Sequence, residues 1–162
     1  LENGDYDFAI AGFYNEVPDR FYKQKLFNDD FVCVAHEKKF SKSKLSIEQY
    51  AGERHIIISP QGDLKTKSQE LMKKEGYDIR YSVGVTGFLS PARIISKTDL
   101  LLTCPRRLAL SYLEYFPVKI YELPVKVPAM SVVQVWHERQ QDDPAHKWLR
   151  QVFSQVCAKH LA

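Results

Sequence analysis

Between His55 and Tyr115 the chain alternates short apolar runs with amphipathic stretches, and no other feature restricts the fold as strongly. His55-Ile56-Ile57-Ile58 is a short β-branched strand that stops at Ser59-Pro60. Lys65 to Glu75 then carries Leu71 and Met72 on one face and sets Gly76 where a helix ends. Ile79 to Val85 reads as a strand, Leu89 to Lys97 as a helix, Leu100 to Thr103 as a strand, and a helix opened by Pro105 runs to Tyr115. Such alternation predicts parallel strands joined by helical crossovers.

The flanks add elements of the same size. Phe8-Ala9-Ile10-Ala11-Gly12 reads as a buried strand, and the runs Tyr22 to Phe27 and Phe31 to Ala35 flank a turn at Asn28-Asp29-Asp30. Ser46 is placed to cap a short helix and Gly52 to end it. Val118 to Leu123 and Met130 to Trp136 are further strands, separated by a connection marked by Pro124 and Pro128. A last helix starts at Asp143-Pro144, with Trp148, Leu149, Val152, Phe153 and Val156 as its apolar face.

With 162 residues and 44% apolar content, the chain can bury one substantial core or two small lobes. Its 23 basic residues are interleaved with 20 acidic ones, so no stripe for a phosphate backbone is indicated. Three widely spaced cysteines, Cys33, Cys104 and Cys157, read as reduced thiols in a cytoplasmic compartment. No signal peptide opens the sequence, and no apolar run approaches the roughly 18 residues that span a bilayer. The chain starts at Leu1 inside a strand-like motif and reads as a piece of something longer.

Catalytic chemistry finds no foothold. His36, His55, His137, His146 and His160 are scattered without ligand spacing, so neither metal nor cofactor is expected. There is no Gly-x-Ser-x-Gly elbow, and Gly84 with Gly87 lack the rest of a phosphate loop. Cys104, followed by Pro-Arg-Arg, reads as a small buried residue at a strand end. No catalytic residue is assigned, and the chain is not read as an enzyme. The informative pattern is polar residues where parallel strands end: Ser59 and Gln61, Thr86 with Phe88, and Thr103. Ligands of open α/β sheets bind beyond those ends.

Several motifs, in order, resemble one family. They are Leu1-Glu2-x-Gly4-x-x-Asp7-x-Ala9-Ile10, Leu26-Phe27-x-Asp29-x-Phe31-Val32-Cys33-Val34, Thr98-Asp99-Leu100-x-x-Thr103-x-Pro105-Arg106-Arg107-Leu108-Ala109, and Val135-Trp136-His137-x-Arg139 with Asp143-Pro144-Ala145-His146-x-Trp148-Leu149-Arg150. Together they are similar to the effector domain of LysR-type transcriptional regulators, in the branch that includes regulators of nodulation and aromatic-compound degradation. The resemblance implies a periplasmic-binding-protein-like (type II) pair of α/β lobes with an inducer in the cleft. Residues 1–35 plus 118–162 would form an incomplete first lobe, and 36–117 the second.

The same resemblance places the effector on Ser59, Gln61, Gly62, Thr86, Gly87, Phe88 and Thr103. It implies a small organic effector, aromatic or carboxylate-bearing, a homodimer or tetramer, no membrane partner, and DNA contact only through a winged helix-turn-helix that this sequence does not contain. One βαβ unit of about 30 residues or more would also be missing, leaving a parallel first-lobe sheet exposed. A solute-binding protein for transport is the alternative on this fold; the absent export signal and unpaired cysteines speak against it.

Overall fold

The computed structural model describes residues 1–13, 18–59, 62 and 65–161, without the side chain of Phe13. Its elements in chain order are β1 (Phe8–Phe13), β2 (Phe21–Asp29), β3 (Phe31–His36), α1 (Ile47–Gly52), β4 (Arg54–Ile58), α2 (Lys67–Lys74), β5 (Arg80–Val85), α3 (Ser90–Ile95), β6 (Leu101–Pro105), α4 (Arg106–Leu113), β7 (Val118–Tyr121), β8 (Met130–His137) and α5 (Pro144–Leu161), with a 3-10 turn at Glu138–Gln140. They divide into two compact units, Asp30–Pro128 and the pair Leu1–Asp29 with Ala129–Ala162.

The Asp30–Pro128 unit is built on a five-stranded sheet in the order β5-β4-β6-β3-β7. β4 runs parallel to both β5 and β6, as the alternation of strands and helices predicts. β3 departs from that pattern, lying antiparallel between β6 and β7, so the sheet is mixed. Both faces of β3 are closed. Val32 and Val34 join Ile56, Ala92, Ile95, Leu102, Ala109 and Tyr112 in one core, while Cys33 and Ala35 join Tyr50, Met72, Leu101 and Tyr121 in the other. Successive strand residues face opposite ways, so an uninterrupted apolar run marks a strand covered on both sides. Each fully buried Leu or Ile in these cores contributes about 1.5 to 3 kcal/mol over an exposed one.

Local capping sets the helices of this unit. The Ser46 hydroxyl accepts from the Gln49 N–H while the Gln49 side chain accepts from the Ser46 N–H, a reciprocal capping box. Thr66 caps α2 in the same sense, accepting from the Gln69 N–H at 3.1 Å.

The other unit holds a three-stranded sheet, β1-β8-β2, antiparallel throughout. The parallel sheet expected for the first lobe is therefore not what these strands form. Nor is Asn28-Asp29-Asp30 the expected turn: Asn28 and Asp29 belong to β2, which pairs with β8, while β3, one residue later, enters the five-stranded sheet. The division expected after residues 35 and 117 falls instead after Asp29 and Pro128. The cause is β3 and β7, whose hydrogen-bond partners lie in the second sheet.

Helix α5 starts at Pro144, as its cap-and-proline signal predicts, and half-buries Leu149, Val152 and Phe153 of the expected face, but not Trp148 or Val156. Its buried residues are His146, Arg150 and Cys157, spaced i, i+4 and i+11, whereas Trp148 is 64% exposed and Val156 is exposed as well. Arg150 enters because its charge is matched. Its guanidinium lies 4.3 Å from the Trp136 ring centroid and donates to the Gln140 and Gln141 carbonyls at 3.0 and 3.1 Å, and also to His146 Nδ1.

Candidate functional site

The parallel strands β5, β4 and β6 end on the same side of their sheet. Pairing of Ile58 with Val85 is carried one step further by the Ser59 N–H, which donates to the Val85 carbonyl at 2.8 Å. Ser59 and Thr86 consequently sit side by side at neighbouring strand ends. Ser59 is buried; Thr86, Gly87 and Phe88 are exposed. The Phe88 carbonyl accepts a hydrogen bond from the Tyr112 hydroxyl, which ties the turn after β5 to α4.

Gly62 has φ +76° and donates its N–H to the Ser59 carbonyl at 3.1 Å. That left-handed turn suits a residue without a Cβ. Gln61 lies outside the described residues. Thr103 is half-buried in β6, and extension of the Ile56–Leu102 pairing sets it beside Ile57, two residues short of Ser59. Ser59, Thr86, Gly87 and Phe88 thus share one sheet edge, while Thr103 lies further back along the strands.

Thr103 has a partner that the sequence alone did not suggest. Its Oγ1 is 2.5 Å from the Tyr50 hydroxyl, 53 positions away. Nearby, Thr66 Oγ1 is 2.7 Å from the Tyr81 hydroxyl and 3.0 Å from Ser68 Oγ. The His55 ring meets Tyr50 edge-on at 4.7 Å, with Nε2 2.8 Å from the Tyr50 carbonyl. A clue was present: a tyrosine on the apolar face of a short helix needs a partner for its hydroxyl.

Burial governs ionisation here. It pushes the Cys33 thiol and the Tyr50 and Tyr81 phenols up, and the His55 imidazolium down. These groups are neutral at ordinary pH and offer hydrogen bonds rather than proton transfer or nucleophilic attack. Among the described residues no group of three or more His, Cys, Asp or Glu side chains could hold a metal ion, and no helix is long and apolar enough to cross a membrane.

Two α/β units linked by consecutive strands, with hydroxyls set at parallel strand ends, define the periplasmic-binding-protein-like class of ligand-binding fold. Residues 1–158 match the LysR substrate binding domain, and the chain belongs to that family. It is 33% identical over 156 residues to the HTH-type transcriptional regulator SyrM 1 of Sinorhizobium fredii, covering 93% of this chain and 45% of that protein. Nodulation protein D 1 of the same organism is 30% identical over 166 residues, covering 98% of this chain and 50% of the relative. The chain thus spans about half the length of these relatives. Among solved structures, the effector binding domain of QuiR in complex with shikimate superposes with a TM-score of 0.80 at 17% identity, over 100% of this chain and 77% of that one. These relatives include transcriptional regulators and agree with the reading of the chain as no enzyme.

Proposed function

We propose that this chain is the effector-sensing part of a LysR-type DNA-binding regulator, and that a small organic effector, aromatic or carboxylate-bearing, is held by Ser59, Gln61, Gly62, Thr86, Gly87, Phe88 and Thr103. The observation that carries this reading is the pairing of Ile58 with Val85, which sets Ser59 and Thr86 together beyond two parallel strands. Support comes from the family match and from QuiR, whose effector binding domain was solved with shikimate. DNA contact belongs to a helix-turn-helix elsewhere in the full-length protein. The matched regulators give the transport reading no support.

Two further parts of the proposal rest on surface and thiol chemistry. Leu110, Leu113 and Tyr115 form an exposed apolar stripe along and just beyond α4, which suits a homodimer or tetramer. Three free, buried cysteines suit a cytoplasmic protein.

Calorimetric titration of the full-length protein with shikimate and benzoate tests the site. Binding of at least one of them is expected, weakened about tenfold by Thr86→Val through loss of a hydrogen bond to ligand. If neither binds, or if Thr86→Val binds as wild type does, the site is elsewhere.

A further inference from the structure

At the start of α5 a cavity of about 440 Å³ opens within the discontinuous unit, and its lining includes Asp7, Gln140, Asp143, His146, Trp148 and Leu149. Trp148 presents 64% of its surface there. The effector reading makes no use of this place, because Ser59, Thr86 and Thr103 all belong to Asp30–Pro128.

The charged side chains of the lining are carboxylates. Asp143 accepts from the His146 N–H at 2.7 Å as the cap of α5, and Asp7 Oδ1 accepts from Gln140 Nε2 at 3.4 Å, so each keeps its second oxygen for another partner. His146 adds no charge in this arrangement. Its Nδ1 meets the Arg150 guanidinium, which has no lone pair to offer, and its Nε2 meets the Asp7 carbonyl, which has no proton. Neighbouring cations are engaged elsewhere: Lys147 with Asp142 at 3.0 Å, and Arg150 with Trp136 and the Gln140 and Gln141 carbonyls. The first turn of a helix carries about half a positive charge, which the carboxylates of Asp7 and Asp143 outweigh.

An anion finds few donors at this helix end. Pro144 has no N–H, and those of His146 and Lys147 go to the Asp143 side chain and carbonyl, which leaves Ala145 alone. A neutral apolar molecule would strip water from the carboxylates without replacing it. A cation with an organic body suits both features, its charge facing the carboxylates and its surface lying on indole, the best aromatic face for a cation. The same unit makes such a contact internally, with the Arg150 guanidinium 4.3 Å from the Trp136 centroid.

We propose that this cavity is a second binding site, for an organic cation of the guanidinium or alkylammonium kind, with Trp148 as its platform and Asp7 and Asp143 as its counter-charges. A small free cation and an arginine side chain of a protein partner share that chemistry. The site stands or falls independently of the effector reading.

NMR titration of the full-length protein tests it, with the indole N–H of Trp148, assigned through Trp148→Phe, as the readout. Ethylguanidinium should move that resonance with a dissociation constant on the order of 1 mM and leave Trp136 in place. Ethylurea, the same shape without the charge, and propionate, the opposite charge, should not move it at that concentration. Asn caps a helix as well as Asp does, so the pair Asp7→Asn and Asp143→Asn keeps α5 intact and should weaken ethylguanidinium about tenfold. N-acetylarginine amide separates the two sources: tighter binding than ethylguanidinium assigns the site to a protein arginine, and exclusion while ethylguanidinium binds assigns it to a free cation. An equal response to ethylurea, or unchanged affinity in the double variant, overturns the proposal. A Trp148 resonance that no probe moves overturns it too, and means that another part of the full-length protein covers the indole.

Discussion

Arg150 brings a full charge into a position where 6% of its surface remains exposed, held by two carbonyls, a histidine nitrogen and the face of Trp136. Removing the guanidinium leaves those acceptors without their donor. Arg150→Ala should cost about 3 kcal/mol, read as a shift in urea midpoint; a loss under about 1 kcal/mol would mean that the guanidinium is effectively solvated. His55 is the second residue with a measurable consequence. Its imidazole is held neutral by burial, so its folded pKa lies below the unfolded value of about 6.5. The unfolded chain therefore binds the extra proton first. Stability is complete above about 6.5 and declines as pH falls toward the folded value. Urea melts at pH 7.5 and 5.5 should differ, and His55→Gln should narrow the difference; equal pH sensitivity in both proteins would assign the effect to other groups.

At the scale of elements, α4 and α5 show where local pattern stops being informative. The strands and helices from β4 to α4 were legible because periods of two and 3.6 differ plainly and because Gly76 and Pro105 punctuate them. The partners of β3 were not legible: Phe31 to His36 reads equally well in either sheet, and only pairing with residues 102–105, far along the chain, decides. On α5 the expected face failed only at Trp148 and Val156, because hydrophobicity favours burying them, while the carbonyls that admit Arg150 come from Gln140 and Gln141, ten and nine positions upstream. Thr103 was read as a strand-end residue although β6 runs on to Pro105, and its partner Tyr50 was not legible at all. The exposed stripe of α4 yields a prediction at this scale. Leu113→Lys should raise the dissociation constant of self-association in sedimentation by tenfold or so, while thermal stability at low protein concentration moves little, as for other exposed positions. Unchanged association would put the subunit contact on another surface.

Across the whole molecule, continuity of chain separates the two units. Asp30–Pro128 is one uninterrupted stretch with a sheet covered on both faces and two cores of its own. The other unit is assembled from Leu1–Asp29 and Ala129–Ala162, so its β1, β2 and β8 meet only after the intervening chain has been ordered. Closing a loop of that length carries an entropic cost that a contiguous unit does not meet. A fragment Asp30–Pro128 should consequently fold alone, with a single cooperative urea transition and an m-value of about 1 kcal/mol/M, as a domain of this size gives. Amide protection should be greatest in β3 and β6, whose residues are closed on both sides. A broad transition with unprotected β3 amides would mean that this core needs the flanking segments to form. The outcome also bears on the site: Ser59, Thr86 and Thr103 all lie within the fragment, so the hydrogen bond between the Tyr50 and Thr103 hydroxyls should persist there, whatever becomes of the discontinuous unit.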